Sequence, residues 1–583
     1  MNRRPLSAAL RVSAVLLVLL LTIAFSNPPA SAQSSGALMN AMTGELHRAM
    51  TGLAKQKDGQ PPPYYISYSA HDQYSLNIMA EQGAIVSSDS SHDRAADVVV
   101  RVGDPKLDNT HGTHRSSAIN TVPLPLSDDA GAVARSLWWA TNRGYGNALQ
   151  TWLQVKTETQ VRAKEEDTSP DFSVEPAVSA QEKPAVPAKI DRGQWNDRIR
   201  ALSGVFHDYP HVYASFVLLT NTDDTNYFVS SEDTHVTDPH QLARIVVFAT
   251  TRADDGMDLF RAQTFEARTP AGLPAQAELV TAIKQLADSL EQLRNAPVTQ
   301  PFDGPAILSG RAAAVFFHEV LGHRLEGQRQ RGNEEGQTFT RDLGKPILPD
   351  FLSVADDPTQ ATFDGTYLSG YYTYDDEGQR AERVQLIKNG VLQTFLMSRL
   401  PIASFSTSNG HGRSQLGRMP TGRQGNLIVT STHKVPESEL RKMLIDEVKK
   451  QNKPYGLYFE DISSGFAVTT RTSPQAFQVL PLIVYRVYAD GRPDELVRGV
   501  SIVGTPQAAL KRILATGDKQ EVFNGECGAE SGSIPVSAIA PAMLVSEIET
   551  QRQPQGTARP PILPPPGINA IAKPAANTKV EAN

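Results

Sequence analysis

Hydrophobic residues recur with two different periods along the chain, and these periods separate helical segments from strands. Helical spacing predicts helices at residues 38–54 and 127–162. Alternation of apolar and polar positions predicts strands within 64–103, 211–234 and 244–265. A further helix carries an apolar stripe at steps of four and three, formed by Leu279, Ile283, Leu286, Leu290 and Leu293. The first half of the chain is therefore predicted to be a mixed α/β domain.

The second half begins with an apolar strand that leads into a helix, within residues 304–331, and continues mostly as strands and turns. Asn389-Gly390 stands between two alternating runs, which is a strong local indication of a β-hairpin. The pattern predicts an α+β fold in which a β-rich, barrel- or sandwich-like C-terminal domain carries the helix at residue 318.

Composition changes sharply at two places and divides the chain. Residues 163–189 are rich in Pro, Glu and Ala, which predicts a mobile connector or surface excursion. The tail at 551–583 is Pro-rich and is predicted to be disordered. We therefore expect an N-terminal domain at 33–300, which contains the insertion, and a C-terminal domain at 301–550.

The first 32 residues have the layout of a cleavable secretory signal. Basic residues precede the apolar run 15–25, and the small-residue sequence Ala30-Ser31-Ala32 follows it. We expect cleavage after Ala32, an exported protein that is periplasmic or secreted, and no stable membrane insertion afterwards. Cys527 is the only cysteine, so intramolecular disulfides are excluded. The net charge of −7 gives no electrostatic basis for binding nucleic acid.

One short stretch carries candidate chemistry: FFHEVLGHRLEG, residues 316–327, which contains H-E-x-x-x-H. In zinc peptidases of the H-E-x-x-H type, four helical steps bring both histidines to one face. Five steps rotate the second side chain by about 140°. His318 and His323 can therefore share a metal only if the helix is distorted between them. Gly322 makes an irregular backbone inexpensive, and a single π-bulge would restore the shared face.

The residue types suit a zinc site. Neutral imidazoles are good zinc ligands, and Glu319 is placed to take a proton from an attacking water. A catalytic site needs a third protein ligand, for which spacing leaves two candidates open: Glu326, three residues after His323, and the thiol of Cys527. Histidines that are merely packed at a helix end, with no metal, are the alternative.

Four segments resemble, in order, the TldD/PmbA family, whose members were once called modulators of DNA gyrase. They are GPAILSGRAAAVFFHEVLGHRLEG at 304–327, YDDEGQRAERVQLIKNGVLQTFLMSR at 374–399, LVRGVSIVGTPQAALKRILATGD at 496–518 and GECGAESGSIPVSAIAPAMLVSEIE at 525–549. The resemblance covers roughly residues 300–550 and is weaker before them. H-E-x-x-x-H is typical of the TldD-like catalytic branch.

The resemblance implies a zinc metallopeptidase in which His318, His323 and Cys527 bind the metal, Glu319 is the base and Glu326 supports the ligands. It also implies a dimer that encloses the active site and admits extended or unfolded peptides. A homodimer is the simpler hypothesis, and a TldD/PmbA-type heteromer is the alternative. The export signal, the insertion and the tail depart from typical members, as does the segment 460–480, which has few glycines.

The sequence therefore predicts an exported zinc-dependent peptidase in which Glu319 activates a metal-bound water. The alternative is a non-catalytic protein of the cell envelope that binds peptides or supports assembly and keeps zinc for structure.

Two other polar stretches have simpler interpretations. Asp375, Asp376 and Glu377 are expected to form a solvated turn, and the Gly- and Arg-rich stretch 409–425 either lines a peptide channel or forms a flexible surface loop.

Overall fold

The computed structural model describes residues 34–55, 59–161, 168–332, 335–471, 476–553 and 561. The predicted signal peptide at 1–32 and most of the predicted tail at 551–583 lie outside these residues. Among the helices that are described, none combines the length and the apolar character needed to cross a bilayer.

Seven α-helices lie within the described residues. They are α1 Ser34–Leu53, α2 Ala130–Val161, α3 Arg192–Gly204, α4 Gln276–Asn295, α5 Gly310–Val320, α6 Glu437–Lys450 and α7 Pro506–Lys511. Helix α4 buries the apolar stripe that the sequence indicated, and α1 and α2 cover the two other predicted helical segments.

The first half of the described chain builds one eight-stranded sheet. Its strands are β1 Pro63–Glu81, β2 Ala84–Asp104, β3 Leu107–Asp108, β4 Ile119–Pro123, β5 Ser179–Gln181, β6 Ala214–Ser230, β7 His235–Arg252 and β8 Asp258–Ala267. The main path runs β3-β2-β1-β6-β7-β5, while β4 pairs with β2 and β8 pairs with β7. Helices α3 and α4 cover one face of β6 and β7, where the apolar positions of the alternating pattern form a core.

The second half is β-rich. Its strands are β9 Phe302–Leu308, β10 Leu352–Asp356, β11 Thr362–Phe363, β12 Thr366–Tyr367, β13 Val384–Lys388, β14 Val391–Leu392, β15 Gly412–Arg413, β16 Thr421–Gly422, β17 Asn426–Ser431, β18 Lys434–Val435, β19 Gly456–Ala467, β20 Phe477–Val487, β21 Glu495–Val497, β22 Val500–Gly504, β23 Ile513–Ala529 and β24 Gly532–Arg552. Asn389 and Gly390 turn the chain between β13 and β14 with φ of 47° and 78°, as the hairpin signal predicted.

Five of these strands close into a barrel. Strand β24 pairs with β22, β22 with β20, β20 with β19, β19 with β9, and β9 again with β24. Helix α5 leaves the barrel directly after β9 and packs against β24, β19 and β23. The predicted architecture, a mixed α/β region followed by a β-rich domain that carries this helix, is confirmed.

Within the predicted insertion, residues 169–173 contact both halves, and the residues after them run along the N-terminal sheet. The ring of Phe172 lies between the guanidinium groups of Arg101 and Arg399, each with its central carbon 3.9 Å from the ring centroid. Ser173 donates its backbone N–H to the carbonyl of Arg399 over 3.0 Å, and β5 adds a parallel strand to β7. Phe172 and the short strand therefore have partners, while most of residues 174–189 are exposed or half-buried, as expected for a surface excursion.

Candidate metal centre

Helix α5 presents two of the predicted site residues, His318 and Glu319. The hydroxyl of Ser309 caps the helix by accepting a hydrogen bond from the backbone N–H of Ala312 over 3.0 Å. The run of alanines at 312–314 favours helix and leaves room for close packing, so every residue from Ala312 to Val320 is buried. A short, capped and fully packed helix fixes the direction in which its last turn points.

The helix ends between the two histidines, which accommodates their five-residue spacing. It stops at Val320, and a 3₁₀ turn at Gly322–Leu325 carries His323. The predicted π-bulge is therefore wrong, because a change of helix type at Leu321 achieves the same reorientation. The absence of a Cβ at Gly322 leaves room for the side-chain amide of Gln424, which any larger residue there would displace.

Cys527 approaches from the other end of the C-terminal half. It lies near the end of β23, opposite Ile534 of β24. Arg423 fixes this hairpin by donating to the backbone carbonyl of Cys527 over 2.7 Å and to the hydroxyl of Ser531 over 2.8 Å. The strand pairing and this buried guanidinium together aim the thiol at the end of helix α5.

The three side chains meet. Cys527 Sγ lies 3.3 Å from His318 Nε2 and 3.4 Å from His323 Nε2. The three candidate ligand atoms all lie within 4.8 Å of one another, and no other group of this kind occurs among the described His, Cys, Asp and Glu residues. Zinc bonds of about 2.3 Å to sulfur and about 2.0 Å to nitrogen at a tetrahedral angle require a separation of roughly 3.5 Å between these atoms. The two sulfur–nitrogen distances therefore match those of ligands that share one zinc ion.

The charges at this point favour the thiolate. Burial raises the pKa of Cys527, but the two imidazoles outweigh burial and hold that pKa well below its usual range. Burial lowers the pKa of His323, whereas Cys527 and Glu326 raise it, with a net increase. A thiolate is the form of cysteine that binds metals.

Glu326 lies on the far side of the His323 ring. Its Oε1 is 3.0 Å from His323 Nδ1, and its Oε2 accepts a hydrogen bond from Arg329 Nε over 3.2 Å. Burial raises the pKa of Glu326, but His323, Arg329 and Arg423 lower it to about 2. A carboxylate on Nδ1 directs the Nε2 lone pair towards Cys527. Of the two candidates for the third ligand, geometry favours Cys527 and makes Glu326 the group that orients His323.

Glu319 points into the open space beside the cluster. Its Oε2 is 3.8 Å from His323 Nε2, and its side chain is buried against β19. Gly465 of β19 permits this approach, because a Cβ there would lie 2.7 Å from Cγ of Glu319. Arg324 holds the same turn from behind by donating to the carbonyl of Glu319 over 3.1 Å and to that of Val468 over 3.2 Å.

A cavity of about 490 Å³ is lined by His318, Glu319, His323 and Cys527. Helix α5 contributes His318 and Glu319, and β23 contributes the wall around Cys527. Residues 463–467 of β19 form the opposite wall. Ala262 and Thr264 of β8 complete it, so the N-terminal half also borders the candidate site.

The acidic cluster at 375–377 is not a solvated turn. Asp375 and Glu377 are buried, and Asp375 accepts backbone hydrogen bonds from Gln379 over 2.8 Å and Gly412 over 2.9 Å. Burial and the neighbouring Glu377 raise the pKa of Asp375 well above its usual range. The expected solvation is wrong, because these carboxylates satisfy backbone donors of a loop that is packed inside the domain.

Two supporting residues were not recognised as such from the sequence. Arg423 belongs to the stretch 409–425 and is buried outside the cavity wall, whereas residues 415–418 of that stretch lie exposed at the surface. Gly465 belongs to the strand opposite Glu319. A glycine inside a strand often marks the close approach of another group, and Gly465 lies inside β19. Nothing local distinguishes Arg423 from a surface arginine.

Residues 302–552 match the profile of a family described as the PmbA/TldA metallopeptidase C-terminal domain. This half of the chain resembles PmbA/TldD proteins. Among curated relatives, a metalloprotease of Archaeoglobus fulgidus is 27% identical over 261 residues, which are 45% of this chain and 56% of that protein. A metalloprotease TldD homolog of Haemophilus influenzae is 26% identical over 42% of this chain and 47% of its own length. A zinc metalloprotease TldD homolog of Saccharolobus solfataricus is 24% identical over 42% of this chain and 51% of its own length.

The chain thus spans about half the length of the curated relatives it matches. The fold likeness is wider. A crystal structure described as a modulator of a DNA gyrase from Thermotoga maritima superposes with a TM-score of 0.58 and 15% identity, over 87% of this chain and 100% of that one. TldE from Thermococcus kodakarensis gives a TM-score of 0.57 and 12% identity, over 88% and 100%. The PmbA/TldD-like fold therefore extends into the N-terminal half.

Proposed function

We propose that the protein is a zinc-dependent peptidase that hydrolyses extended or unfolded peptides. His318, His323 and Cys527 hold the ion, and Glu319 is the general base. One observation carries this proposal: three buried ligand atoms lie within 4.8 Å of one another, beside a carboxylate that faces a 490 Å³ cavity. The metalloprotease names of relatives that match the same half support it.

The zinc would supply Lewis acidity, which polarises a peptide carbonyl and lowers the pKa of water. Glu319 takes the proton of the attacking water and returns it to the leaving amine. Gly465 keeps this carboxylate close to the strand on which the substrate lies. Glu326 holds the tautomer of His323, so the imidazole offers Nε2 to the ion.

A preference for extended peptides follows from the strands that border the cavity. Along 461–467, β19 pairs with β20 on one edge, while its pairing with β9 ends at Phe459. Its other edge beside Glu319 thus offers backbone groups that an extended peptide can pair with. A folded protein seldom exposes a segment that can bind in this way.

Catalysis is favoured over a purely structural zinc by the number of protein ligands. A structural site is closed by four protein ligands, whereas a catalytic site keeps one position open. Glu326 would be the fourth ligand of a closed site, but its two oxygens are engaged by His323 and Arg329. The remaining position therefore faces the cavity.

We further propose that the chain is exported after cleavage behind Ala32 and acts as a homodimer. The layout of residues 1–32 supports export, and the resemblance to TldD/PmbA proteins supports a dimer.

The test compares purified residues 33–583 with the Glu319→Gln variant, with Glu439→Gln on the exposed face of α6 as control. We expect one zinc per chain in all three proteins and cleavage of an unfolded peptide pool by the parent and the control only. Removing one general base lowers the rate by about 10²–10⁴-fold. Zinc without cleavage by any of the proteins would favour the structural role, and absence of zinc would refute the site.

A further inference from the structure

The N-terminal sheet has two faces of different character at β6, β7 and β8. Val217, Leu219, Ile245 and Val247 are buried on the face that α3 and α4 cover. The alternate positions point to the other face and remain partly exposed, including Phe216, Phe248 and Phe260. No described helix of this half covers them.

The three phenylalanines form a continuous row, called here the aromatic ladder (Phe216, Phe248 and Phe260). Phe216 and Phe248 are direct cross-strand partners, with ring centroids 5.2 Å apart and an interplanar angle of 21°. Phe248 and Phe260 are 5.9 Å apart at 26°. Single exposed aromatic residues are common on soluble proteins, but a stacked row of three makes a contiguous apolar patch and marks a binding surface.

The ladder adjoins the cavity of the candidate metal centre. Phe248 pairs across the strands with Ala262, and Ala262 and Thr264 line the same cavity as Glu319. Phe260 lies two residues before Ala262 on β8. The apolar surface therefore begins where the cavity wall ends, and it lies outside residues 302–552, the half that resembles the PmbA/TldD metallopeptidase domain.

The character of the surface changes beyond Thr264. In the next row, Arg244 forms ion pairs with Glu266 and, over 2.5 Å, with Glu526. These charges satisfy one another and form a polar boundary at this end of the apolar patch. A substrate chain that leaves the cavity over Ala262 thus meets aromatic rings on one side and paired charges on the other.

We propose that the aromatic ladder is a subsite that binds aromatic or large aliphatic side chains of the peptide substrate, outside the residues that react. This proposal rests on the proposed function, because the occupant is the peptide held in the cavity. Continuity with the cavity identifies the occupant as peptide and distinguishes it from a second copy of the chain. Stacking and apolar burial supply the affinity, so the ladder selects by apolar content and not by exact sequence.

The test uses zinc-loaded Glu319→Gln protein and two fluorescent unstructured peptides, which differ only in that three serines of one are replaced by Phe, Leu and Phe. Dissociation constants are measured for three proteins that all carry Glu319→Gln. The first has no other change, the second adds Phe260→Ser, and the third adds both Phe248→Ser and Phe260→Ser. Trp139→Ser removes an exposed aromatic side chain on α2 and is the matched control. Cleavage of both peptides is then measured in the same ladder and control variants with Glu319 restored.

We expect Glu319→Gln to bind the apolar peptide about tenfold more tightly than the serine peptide. This preference should fall to about twofold in the ladder variants. Binding of the serine peptide should be unchanged in the ladder variants. Binding of both peptides should be unchanged in the Trp139→Ser control. With Glu319 restored, the ladder variants should raise KM for the apolar peptide and leave kcat unaltered. Phe260 is 37% exposed, so the single variant is expected to fold even if the double variant does not.

Equal affinity for the two peptides in Glu319→Gln, or a preference that survives in the Phe260→Ser variant, would overturn the subsite. The ladder variants could instead lose affinity for both peptides equally and change from dimer to monomer in sedimentation. That result would identify the ladder as a subunit interface and would also overturn the subsite. Selective binding without any cleavage would leave the subsite standing and refute the peptidase, so the two proposals fail separately.

Discussion

Two histidine–carboxylate pairs, one from each half of the molecule, have the same chemistry and can be compared. In the C-terminal half, His323 Nδ1 lies 3.0 Å from Glu326, and in the N-terminal sheet His71 Nδ1 lies 2.8 Å from Asp224. What differs is what surrounds each pair. His323 turns its second nitrogen to a thiol at the edge of a 490 Å³ cavity, whereas His71 borders a space of about 30 Å³.

The charged groups around the two histidines also differ. Beside Asp224, the carboxylates of Asp376 and Asp97 also act on His71, and no metal-ligand cluster forms around it among the described residues. Its pair therefore neutralises buried charge between the sheet and the C-terminal half. The comparison shows that a carboxylate only orients a histidine, and that the group facing the free nitrogen decides whether a site results.

The largest effect is expected at the functional pair, from Glu326→Ala. Removal of this fully buried carboxylate leaves Nδ1 of His323 and Nε of Arg329 without the oxygen atoms that they contact. We expect a loss of about 3–5 kcal/mol in the free energy of unfolding and a fall of about 10–100-fold in zinc affinity. Urea denaturation and competition with a chelator measure the two quantities. Glu326→Gln keeps the shape and one acceptor and should be less severe; an unchanged zinc affinity in Glu326→Ala would contradict the orienting role.

The structural pair should show a smaller and pH-dependent effect, measured by comparing the parent with His71→Gln. Burial lowers the pKa of His71, but Asp224 outweighs burial and raises it to about 9. Because the folded pKa is above the unfolded value of about 6.5, the stabilisation is complete below that pH and is lost as pH rises through 9.

Since the His71 side chain is 24% exposed, water screens part of this effect. We expect the parent to lose on the order of 2 kcal/mol relative to His71→Gln between pH 6.5 and 9. Zinc content should be equal in both proteins across this range. A difference in stability that does not vary with pH would show that His71 acts through packing and not through its charge.

The smallest effect is expected where an ion pair is exposed, as in Glu439 and Lys442 on α6, which are 47% and 68% exposed. Glu439→Ala should change the free energy of unfolding by less than about 1 kcal/mol, because water screens the pair. The same urea titration measures it. A loss as large as that of Glu326→Ala would mean that burial does not explain the difference between the pairs.

Local pattern accounts for much of the fold. The stripe from Leu279 to Leu293 marks the buried face of α4, and Asn389-Gly390 marks its hairpin, because both signals depend only on neighbouring residues. The strand and the helix on either side of Ser309 were likewise evident from their apolar residues.

The arrangement of the site depends on contacts that no local pattern encodes. Cys527 meets His323 across 204 residues, and spacing alone left Glu326 equally plausible as a ligand. Gln424, which is distant in sequence, occupies the space beside Gly322 where the helix has ended. The burial of Asp375 and the docking of Phe172 were missed for the same reason, since their partners come from other parts of the chain.

The seating of Phe172 between Arg101 and Arg399 bears on how the protein can be divided. Arg101 belongs to the N-terminal half and Arg399 to the C-terminal half, so the ring of Phe172 connects the two halves. A cut at residue 302, where the match to the family profile begins, would separate Arg399 from Phe172 and Arg101. The buried side chain of Arg399 would then be in contact with solvent. We therefore expect the half that carries the histidines to be less stable when it is produced alone than within the full chain.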